Sequence, residues 1–412
     1  MAAEGRETGL KAMPDLISFP APARLAARSA VIVGGGIGGL ACAIALRQAG
    51  LTVQVVERAH KLREVGAGLQ LTPNATRILR DMGLLARLEE VAVSPRALDV
   101  RSGRNGATLA RADYASAAAR FDAPFMVVHR ADLQKLLADA AEAEGCAIAL
   151  DSELASLEPS ARNVRAVVRQ GQDLITHGAD ILIGADGVRS TVRSHLYAGR
   201  KGPPAGPVFA RRVAYRTTIN APDDYPPEVR LYLGPNAHLV AYPVKGGETL
   251  NIVAIVKETH PVGRWNAPGN SGDVHRAFSN WAPEVRKLLE SAPHFLCWGL
   301  YDIAPLPQWS FGRMTLLGDA AHAMLPFLAQ GAAQSIEDAA ALARALQQNS
   351  DAEAALHAYE VARRTRTARI QTGARRNGVI YHLSGPPRLA RDLVIRRTGQ
   401  GLLDRYDWIY KA

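Results

Sequence analysis

Three glycine- and aspartate-rich segments, widely separated along the chain, carry residues suited to holding a phosphate-bearing cofactor. They are GGGIGG at residues 34–39, GADGVRSTVR at residues 184–193 and GRMTLLGDAAH at residues 312–322. Glycines with the first spacing let a backbone turn tightly and approach a pyrophosphate, while a carboxylate can accept hydrogen bonds from sugar hydroxyls. The chemistry that these residue types predict is the binding of a dinucleotide.

The first segment follows a short apolar run and precedes a run of small residues with helical character. In this pattern Gly34 makes the turn, Gly36 admits the pyrophosphate and Gly39 lets the helix lie close to the strand. Glu57 ends the next β-rich run, where a carboxylate can bind a ribose diol. The alternative is a glycine-rich turn with Glu57 as a solvated strand end.

The second and third segments each read as a buried strand that ends in a turn bearing an aspartate, Asp186 or Asp319. Either one alone could be a structural turn. Together with the first segment they predict a single flavin dinucleotide held at three points, which limits the chemistry to redox reactions. A second dinucleotide site is not predicted, because GQG at residues 399–401 lacks both the third glycine and a preceding strand.

Several elements must position these segments. Residues 30–57 predict a βαβ unit, and residues 73–83 and 130–144 predict helices. Between residues 203 and 297, alternating stretches separated by Pro/Gly turns predict an antiparallel sheet. A helix is predicted over residues 274–290 with an interruption at Pro283, and long helices over residues 330–347 and 351–376.

The predicted fold class is therefore α/β, with a Rossmann-like FAD-binding lobe, an inserted and mostly antiparallel substrate lobe, and C-terminal helices. The chain is too long for one compact core. The predicted organisation is a flexible leader over residues 1–28, a discontinuous FAD-binding domain over 29–200 and 298–350, a substrate domain over 201–297 and a C-terminal helical segment over 351–412.

The chain resembles the single-component flavoprotein aromatic hydroxylases with the p-hydroxybenzoate-hydroxylase fold, and within them the salicylate-hydroxylase-like branch. Besides the three segments, the resemblance rests on EVGAGLQLTPNA (64–75), VHRADL (128–133), LGPNAHLVAYPV (233–244), MLPFLAQGAAQSIEDA (324–339) and NGVIYHLSGP (377–386). It covers nearly everything after residue 30. The resemblance implies FAD, NAD(P)H as a transient electron donor, molecular oxygen and a small aromatic substrate hydroxylated through a hydroperoxyflavin.

Carried over residue by residue, the family pattern assigns FAD contacts to Gly34, Gly36, Ile37, Gly38, Gly39, Glu57, Arg58, Gln70, Arg130, Asp186, Asp319, Gly331 and Ala332. It implies that Arg58 and Arg130 lie near the phosphates and adenine, and Gln70 along the flavin edge. It implies further that Asp319 binds the ribityl chain and that Asp186 serves both FAD and the passing nicotinamide. The alternative for the two arginines is ordinary surface ion pairing.

On the substrate side, His238 and Tyr242 stand four residues apart on a predicted strand, so their side chains share one face. In similar enzymes this pair lines the pocket over the flavin. Oxygen transfer needs an electron-rich ring, and a phenol with a pKa of about 10 is mostly neutral at pH 7. A base such as His238 that favours the phenolate contributes about 100- to 10,000-fold. The alternative is a satisfied histidine and a packing tyrosine.

Pro326, which follows the third segment, is the third predicted catalytic-site residue, since the resemblance implies that it places backbone groups beside the flavin. His322 is expected to be structural. The chain departs from relatives that carry histidine at the positions of Gln70 and Phe327. It also has Ile303 where the usual run is Leu-Tyr-Asp-Arg. These changes predict a more apolar pocket.

The composition of the chain limits which classes of protein function remain to be considered. The formal net charge is +10 and arginine greatly outnumbers lysine, which favours anionic cofactors or carboxylate substrates. Nucleic-acid binding is not expected, because no aromatic residues interleave with the arginines of residues 363–376. No apolar run is long enough for a transmembrane segment. Three cysteines without CxxC spacing predict reduced thiols and a cytoplasmic protein, and no metal site is predicted.

Two other function classes stay open at this point. One is a flavin-dependent oxidoreductase or halogenase on the same scaffold, although the tryptophans do not form the Trp-x-Trp-x-Ile-Pro segment of the halogenases. The other is a non-catalytic flavin-bound or basic binding protein. A homodimer is expected from the resemblance alone.

Overall fold

A computed structural model describes residues 25–62, 68–200, 206–260 and 267–411. Most of the predicted leader, residues 1–24, therefore lies outside the described residues, as do residues 64–67 of one family segment. In the described part of the chain, no helix is both long and apolar enough to cross a bilayer.

The strands within the described residues are numbered here in chain order. They are β1 (Ser29–Val33), β2 (Thr52–Val56), β3 (Gly68–Leu71), β4 (Ala92–Val93), β5 (Ala97–Ser102), β6 (Thr108–Asp113), β7 (Met126–His129), β8 (Ala147–Ala149), β9 (Glu153–Pro159), β10 (Val164–Gln170), β11 (Asp173–Ala179), β12 (Ile181–Gly184), β13 (Val208–Asn220), β14 (Val229–Gly234), β15 (Ala237–Val244), β16 (Thr249–Lys257), β17 (Ala267–Gly269), β18 (Phe295–Asp302) and β19 (Met314–Leu316).

The α-helices of the same residues are α1 (Ile37–Gln48), α2 (Pro73–Asp81), α3 (Leu85–Val91), α4 (Tyr114–Phe121), α5 (Arg130–Ala143), α6 (Thr191–Tyr197), α7 (Ser271–Ala277), α8 (Pro283–Glu290), α9 (Asp319–His322), α10 (Gly331–Gln348), α11 (Ala352–Tyr381), α12 (Gly385–Thr398) and α13 (Asp407–Tyr410). Short 3₁₀ helices cover Lys245–Gly247, Pro326–Leu328 and Gly399–Tyr406.

The first sheet is parallel and has the order β19-β12-β1-β2-β8 in the described chain. Its central strands β1 and β12 are almost entirely apolar and buried, as expected for strands covered on both faces. Because the strands are parallel, the carboxyl ends of β1, β12 and β19 meet at one edge. Each of the three glycine- and aspartate-rich segments begins a turn at that edge.

The second large sheet has the order β17-β18-β13-β16-β15-β14-β5-β6 among the described strands. Its pairs are antiparallel except β14 with β5, which are parallel. Two of its strands, β5 and β6, thus come from the first third of the chain. The predicted α/β class with a mostly antiparallel second sheet is confirmed, while the division into domains stays a prediction.

Several helices differ in number or extent from those predicted from the sequence. The helix expected over residues 274–290 is two helices, α7 and α8, because Pro283 cannot continue a helix and instead occupies the first turn of α8. The helix expected to end at Arg376 continues to Tyr381 as α11. Helix α12 lies within the predicted C-terminal helical segment, although no bounds were predicted for it, and its apolar residues Leu389, Leu393 and Val394 are exposed.

Candidate functional site

The first two signature segments touch each other. Gly34 has a φ of 114°, in the region that favours glycine. A methyl group added to it would lie 2.5 Å from the carbonyl oxygen of Ala185, so no other residue fits without movement. The Gly34 N–H donates to the carbonyl of Val56 at 2.8 Å, which closes the turn after β1.

Helix α1 begins directly after this turn, with Gly36 as its N-cap and Ile37 as its first residue. No side chain caps this end within the described residues, and no described atom lies within 4 Å of a methyl group added to Gly36. By contrast, a methyl group on Gly39 would lie 1.9 Å from the Gly34 carbonyl oxygen. Free N–H groups beside open space at a helix N-terminus form a phosphate-binding arrangement. Gly38 packs against Ser335 of α10.

Glu57 is fixed at the end of β2 by two backbone donors. Its Oε2 accepts from the Gly35 N–H at 2.6 Å and its Oε1 from the Ala59 N–H at 2.9 Å. Each carboxylate oxygen can accept a further hydrogen bond. The side chain is therefore oriented and still able to bind a ribose diol, whereas the adjacent Arg58 is exposed to solvent.

Asp186 follows β12 and holds the start of α6. Its Oδ2 accepts from the N–H groups of Thr191 and Val192 at 2.7 and 3.0 Å. The other oxygen, Oδ1, is buried and has no hydrogen-bond partner among the described residues. A buried carboxylate oxygen without a donor is costly unless a ligand or water supplies one.

The second and third segments are also joined. The buried guanidinium of Arg193 donates to the carbonyls of Ala320 at 2.8 Å and Val188 at 2.6 Å. Asp319 is the first residue of α9 and is exposed at the sheet edge. Burial lowers the pKa of the Arg130 guanidinium, and the nearby Asp319 carboxylate acts in the opposite direction. Two residues predicted to contact FAD thus lie close together.

A buried polar cluster holds the Asp319 turn in place. The Asp338 carboxylate of α10 accepts from the Gly318 N–H at 3.0 Å, from His322 Nε2 at 2.6 Å and from Arg363 Nε at 2.7 Å. Arg363 also pairs with Glu337. The expected structural role of His322 agrees with this placement, because its ring supports the turn from behind rather than facing open space.

Three further residues are predicted to contact the cofactor. Gly331 and Ala332 begin α10 and are only partly buried, while the next seven residues of the helix, 333–339, are buried. No described atom lies within 4 Å of a methyl group on Gly331. Gln70 is half-buried on β3, where it pairs with Val127 of β7.

These features allow a test of whether FAD fits. The N-terminus of α1 is open, Asp186 has a buried oxygen without a donor, and Glu57 and Asp319 have acceptor capacity to spare. All of them lie where the parallel strands end. An elongated dinucleotide with a pyrophosphate, two sugar-derived chains and a ring system matches that order, so the residues present fit FAD.

The large sheet turns one face toward this region, and its register decides which side chains share that face. Tyr242 pairs with Asn251, and His238 pairs with Ile255. Arg216 of β13 lies opposite Val253 of β16. Since directly paired residues point to the same side, His238, Arg216 and Tyr242 all project from one face.

His238 is almost completely buried, and its ring contacts Phe327, Tyr381 and His382 at centroid distances of 5.2, 5.3 and 5.0 Å. Its Nδ1 lies 2.7 Å from Nε2 of His382. Burial, with contributions from His382 and Arg212, holds the pKa of His238 well below its ordinary value. The ring is therefore neutral at pH 7, and Nε2 is its only nitrogen left for a substrate.

Tyr242 packs against β3, which belongs with β7 and β4 to a separate small antiparallel sheet. A methyl group on Gly68 of β3 would come within 2.6 Å of the Tyr242 ring and 2.8 Å of the Asn251 side chain. Asn251 Oδ1 accepts from the Gly68 N–H at 2.7 Å. Burial raises the pKa of the Tyr242 hydroxyl. The tyrosine thus stays protonated and can donate a hydrogen bond.

Sequence reasoning missed Arg216, Asn251 and His382. The Arg216 guanidinium stacks on the Trp298 ring at 4.0 Å, and burial lowers its pKa to about 10. Tyr242 and Arg130 also influence that pKa, and no carboxylate among the described residues does so. Local patterns give no signal for Arg216, because Arg212 and Thr218 on the same face of β13 are polar as well and only the pairing with β16 places Arg216 beside Tyr242 and His238.

Pro326 begins the 3₁₀ turn after α9 and is exposed, while Phe327 is buried against His238. The Phe327 carbonyl accepts from Asn377 Nδ2 at 3.1 Å and from the Tyr381 hydroxyl at 3.3 Å. Helix α11 therefore fixes this turn. The Phe327 ring also excludes water from one side of His238.

The departure at Ile303 has a local explanation. Ile303 is fully buried, and Arg375 of α11 supplies a guanidinium beside it. Arg375 Nε donates to Asp302 at 2.5 Å, and Nη2 donates to the Ile303 carbonyl at 2.7 Å.

The chain is similar to known proteins over most of its length. The family described as FAD binding domain matches residues 28–374. The 3-hydroxybenzoate 6-hydroxylase of Polaromonas naphthalenivorans (strain CJ2) is 35% identical over 92% of this chain and 95% of its own length. A 3-amino-4-hydroxybenzoate 2-monooxygenase of Streptomyces cremeus is 37% identical over 89% and 91%. A solved salicylate hydroxylase substrate complex gives a TM-score of 0.79 at 25% identity, covering 94% of this chain and 96% of that one.

Proposed function

The chain belongs to the family of the FAD binding domain, and on that premise we propose that its substrate is a small phenol that also carries a carboxylate. The protein is an FAD-dependent aromatic monooxygenase that uses a reduced nicotinamide and O₂. The resemblance to flavoprotein hydroxylases and the FAD cofactor expected from the sequence are confirmed. Its relatives do not favour the halogenase alternative.

We propose that FAD is held by the residues of the parallel-sheet edge. The α1 N-terminus at Gly36–Gly38 would bind the pyrophosphate, Glu57 the adenosine ribose and Asp319 the ribityl chain. The start of α10 at Gly331 would lie beside the flavin ring. When bound, FAD accepts a hydride from the nicotinamide and activates O₂ so that one oxygen atom enters the aromatic ring.

The observation that carries the substrate proposal is the shared sheet face of His238, Arg216 and Tyr242. A neutral imidazole suits a phenolic hydroxyl, because it can accept that proton. The Arg216 cation, which no carboxylate of the described residues influences, suits a carboxylate substituent. Tyr242 can donate a hydrogen bond to either group. The three side chains therefore complement a hydroxybenzoate-like acid.

Burial supports the same assignment. His238 and Tyr242 are 1% and 3% exposed, so water competes poorly for their polar atoms. In such surroundings a hydrogen bond to the substrate discriminates strongly against a molecule that lacks the matching group. His238 Nε2 would remove the phenolic proton, and the Arg216 cation would favour the resulting anion. An electron-rich phenolate is the form of the ring that reacts with electrophilic oxygen.

The test is a panel of salicylate, 3-hydroxybenzoate, 4-hydroxybenzoate and 3-amino-4-hydroxybenzoate, each with its carboxamide as a matched control. The FAD-loaded enzyme, NADH or NADPH and air are mixed, and nicotinamide oxidation and product mass are measured. We expect at least one acid to accelerate oxidation and to gain one oxygen atom, and its carboxamide to bind more weakly. Peroxide release without hydroxylated product for every acid would contradict the proposal.

We also propose a homodimer and a cytoplasmic location. Exposed apolar side chains on α12, namely Leu389, Leu393 and Val394, support self-association. The three cysteines, which are buried and unpaired, support a reducing compartment. Light scattering on the FAD-loaded protein tests the dimer, and a monomeric mass at micromolar concentration would refute it. Cell fractionation tests the location.

A further inference from the structure

His238 does not stand alone; a second histidine from the C-terminal region completes its hydrogen bonding. His382 follows α11 and is 7% exposed, and its Nε2 lies 2.7 Å from His238 Nδ1. The other nitrogen of this second ring, Nδ1, is buried without a hydrogen-bond partner among the described residues. Two imidazoles thus form a chain whose inner end faces the substrate side.

The hydrogen bond between the two rings couples their tautomers. One of the two facing nitrogens must carry a proton and the other must not. If His238 Nδ1 carries it, His238 Nε2 is bare and can act as a base. If His382 Nε2 carries it, His238 Nε2 holds a hydrogen and cannot accept the substrate proton. The tautomer of His382 therefore decides whether His238 Nε2 can accept the substrate proton.

The surroundings oppose an additional positive charge on the pair. The cations that influence it come from three elements: Arg212 of β13, Lys257 of β16 and Arg391 of α12. Burial, reinforced by these cations, lowers the pKa of His382 to about 3. Tyr381 of α11 is the other titratable group against the His238 ring. A proton accepted from a substrate cannot rest on either ring at neutral pH and must move on.

We propose that His382 is a positioning residue that keeps His238 in its basic tautomer and relays the substrate proton away from the site. This inference rests on the proposed function. The phenolic proton moves to His238 Nε2, the proton on His238 Nδ1 moves to His382 Nε2, and the proton on His382 Nδ1 leaves. The substrate becomes a phenolate and both rings end neutral. The acceptor of the proton that leaves His382 Nδ1 is solvent water, and Ser384 and Gly385, which follow closely in the chain, are exposed to it.

The decisive variant is His382→Gln. The glutamine amide can still accept from His238 Nδ1 and so preserve the basic tautomer, but it cannot pass the proton on. The FAD-loaded enzyme is mixed, without nicotinamide, with the tightest-binding acid of the panel in weakly buffered solution. A pH indicator reports proton release and absorbance reports the bound phenolate. We expect the wild type to release about one proton per bound acid and the variant to release it about 100-fold more slowly.

His357→Gln, an exposed histidine on α11, is the matched control and is expected to match the wild type. Equal release rates for His382→Gln and the wild type would overturn the relay. If the substituted protein does not fold, ¹⁵N-histidine spectra of the wild type decide. Ligand binding should then change the tautomer of both rings, and a response confined to His238 would overturn the inference. Failure of every acid to bind the wild type would instead overturn the proposed function and this inference with it.

Discussion

Replacing Arg216 with methionine is expected to leave the protein as stable as before, or more stable, while weakening the binding of a carboxylate-bearing substrate. The guanidinium lies on the Trp298 ring, and in the part of the chain that the structure describes no carboxylate influences its pKa. Methionine keeps an unbranched apolar stem and removes the guanidinium with its charge and its contact with the Trp298 ring. The substitution therefore separates the cost of a buried cation from its use.

The magnitude follows from the lowered pKa. Burial brings the pKa of Arg216 to about 10, and against an ordinary value of about 12.5 this corresponds to about 3 kcal/mol. The native state bears this cost in full at pH 7, because that pH lies below both pKa values and the group is charged in both states. Loss of the stacked cation–ring contact removes about 2 kcal/mol. The net expectation is a gain in stability of about 1 kcal/mol.

Substrate binding should weaken although the stability rises. A hydrogen bond between charged groups contributes about 1.5–3 kcal/mol, which corresponds to about 10- to 150-fold in affinity. The assay compares KM for the preferred acid and for its carboxamide, with urea unfolding of the same FAD-loaded samples. Arg165→Met, an exposed arginine on β10, is the control and should change neither quantity.

The reasoning is refuted by either of two results. One is an equal rise in KM for the acid and the carboxamide, which would mean that Arg216 does not recognise the carboxylate. The other is a loss of stability greater than about 1 kcal/mol, which would mean that the buried charge has a partner that stabilises the fold.

Three further substitutions have defined expectations. Gly68→Ala places a methyl group 2.6 Å from the Tyr242 ring. The free energy of unfolding should therefore fall by about 1–3 kcal/mol, and the KM for the substrate should rise. Glu57→Ala removes a carboxylate proposed to bind the FAD ribose, and a fluorescence titration should show about 10- to 100-fold weaker FAD binding. Asp338→Asn leaves Arg363 without one of its buried partners, so urea unfolding at pH 7 should show a loss of about 3–5 kcal/mol.

The Asp338 prediction also has a pH dependence. Its pKa is lowered, because His322 and Arg363 outweigh the opposing effect of burial. The stability from this carboxylate is therefore complete above about pH 4 and is lost as the pH falls through its lower native value. The difference between wild type and Asp338→Asn should shrink in acid, and a constant difference down to pH 2 would contradict the assignment.

The control for Gly68→Ala is a glycine with open space beside it. Gly178→Ala on β11, where no described atom lies within 4 Å of the added methyl group, should leave stability and KM unchanged. If Gly68→Ala behaves in the same way, Tyr242 is not held where the structure has it. If Glu57→Ala retains FAD as tightly as the wild type, the ribose contact is wrong.

Local signals were sufficient for the parallel-sheet edge. The turn at Gly34, the carboxylate of Glu57 and the aspartate at residue 319 depend on backbone conformation and on a few residues beside them in the chain. The spacing of the glycines is therefore sufficient to predict the strand-to-helix turns. Their convergence was also predictable, because parallel strands bring their carboxyl ends to a common edge.

The substrate side depends on long-range register, which local patterns do not encode. The spacing of His238 and Tyr242 placed them on one face, but Arg216 joins them only through the pairing of β13 with β16. His382 reaches His238 across 144 positions of sequence. A residue just after a long helix gives no local sign that its ring will meet a distant strand.

The parallel pairing of β14 with β5 ties the first third of the chain to its middle. During synthesis, β5 and β6 leave the ribosome long before Val229–Gly234 can cover the edge of β5. An uncovered edge of this kind is a template for unwanted pairing, so production of the protein should benefit from chaperones and slow translation. It follows that neither lobe can be cut out as an independent fragment, because each would take an unfinished sheet with it.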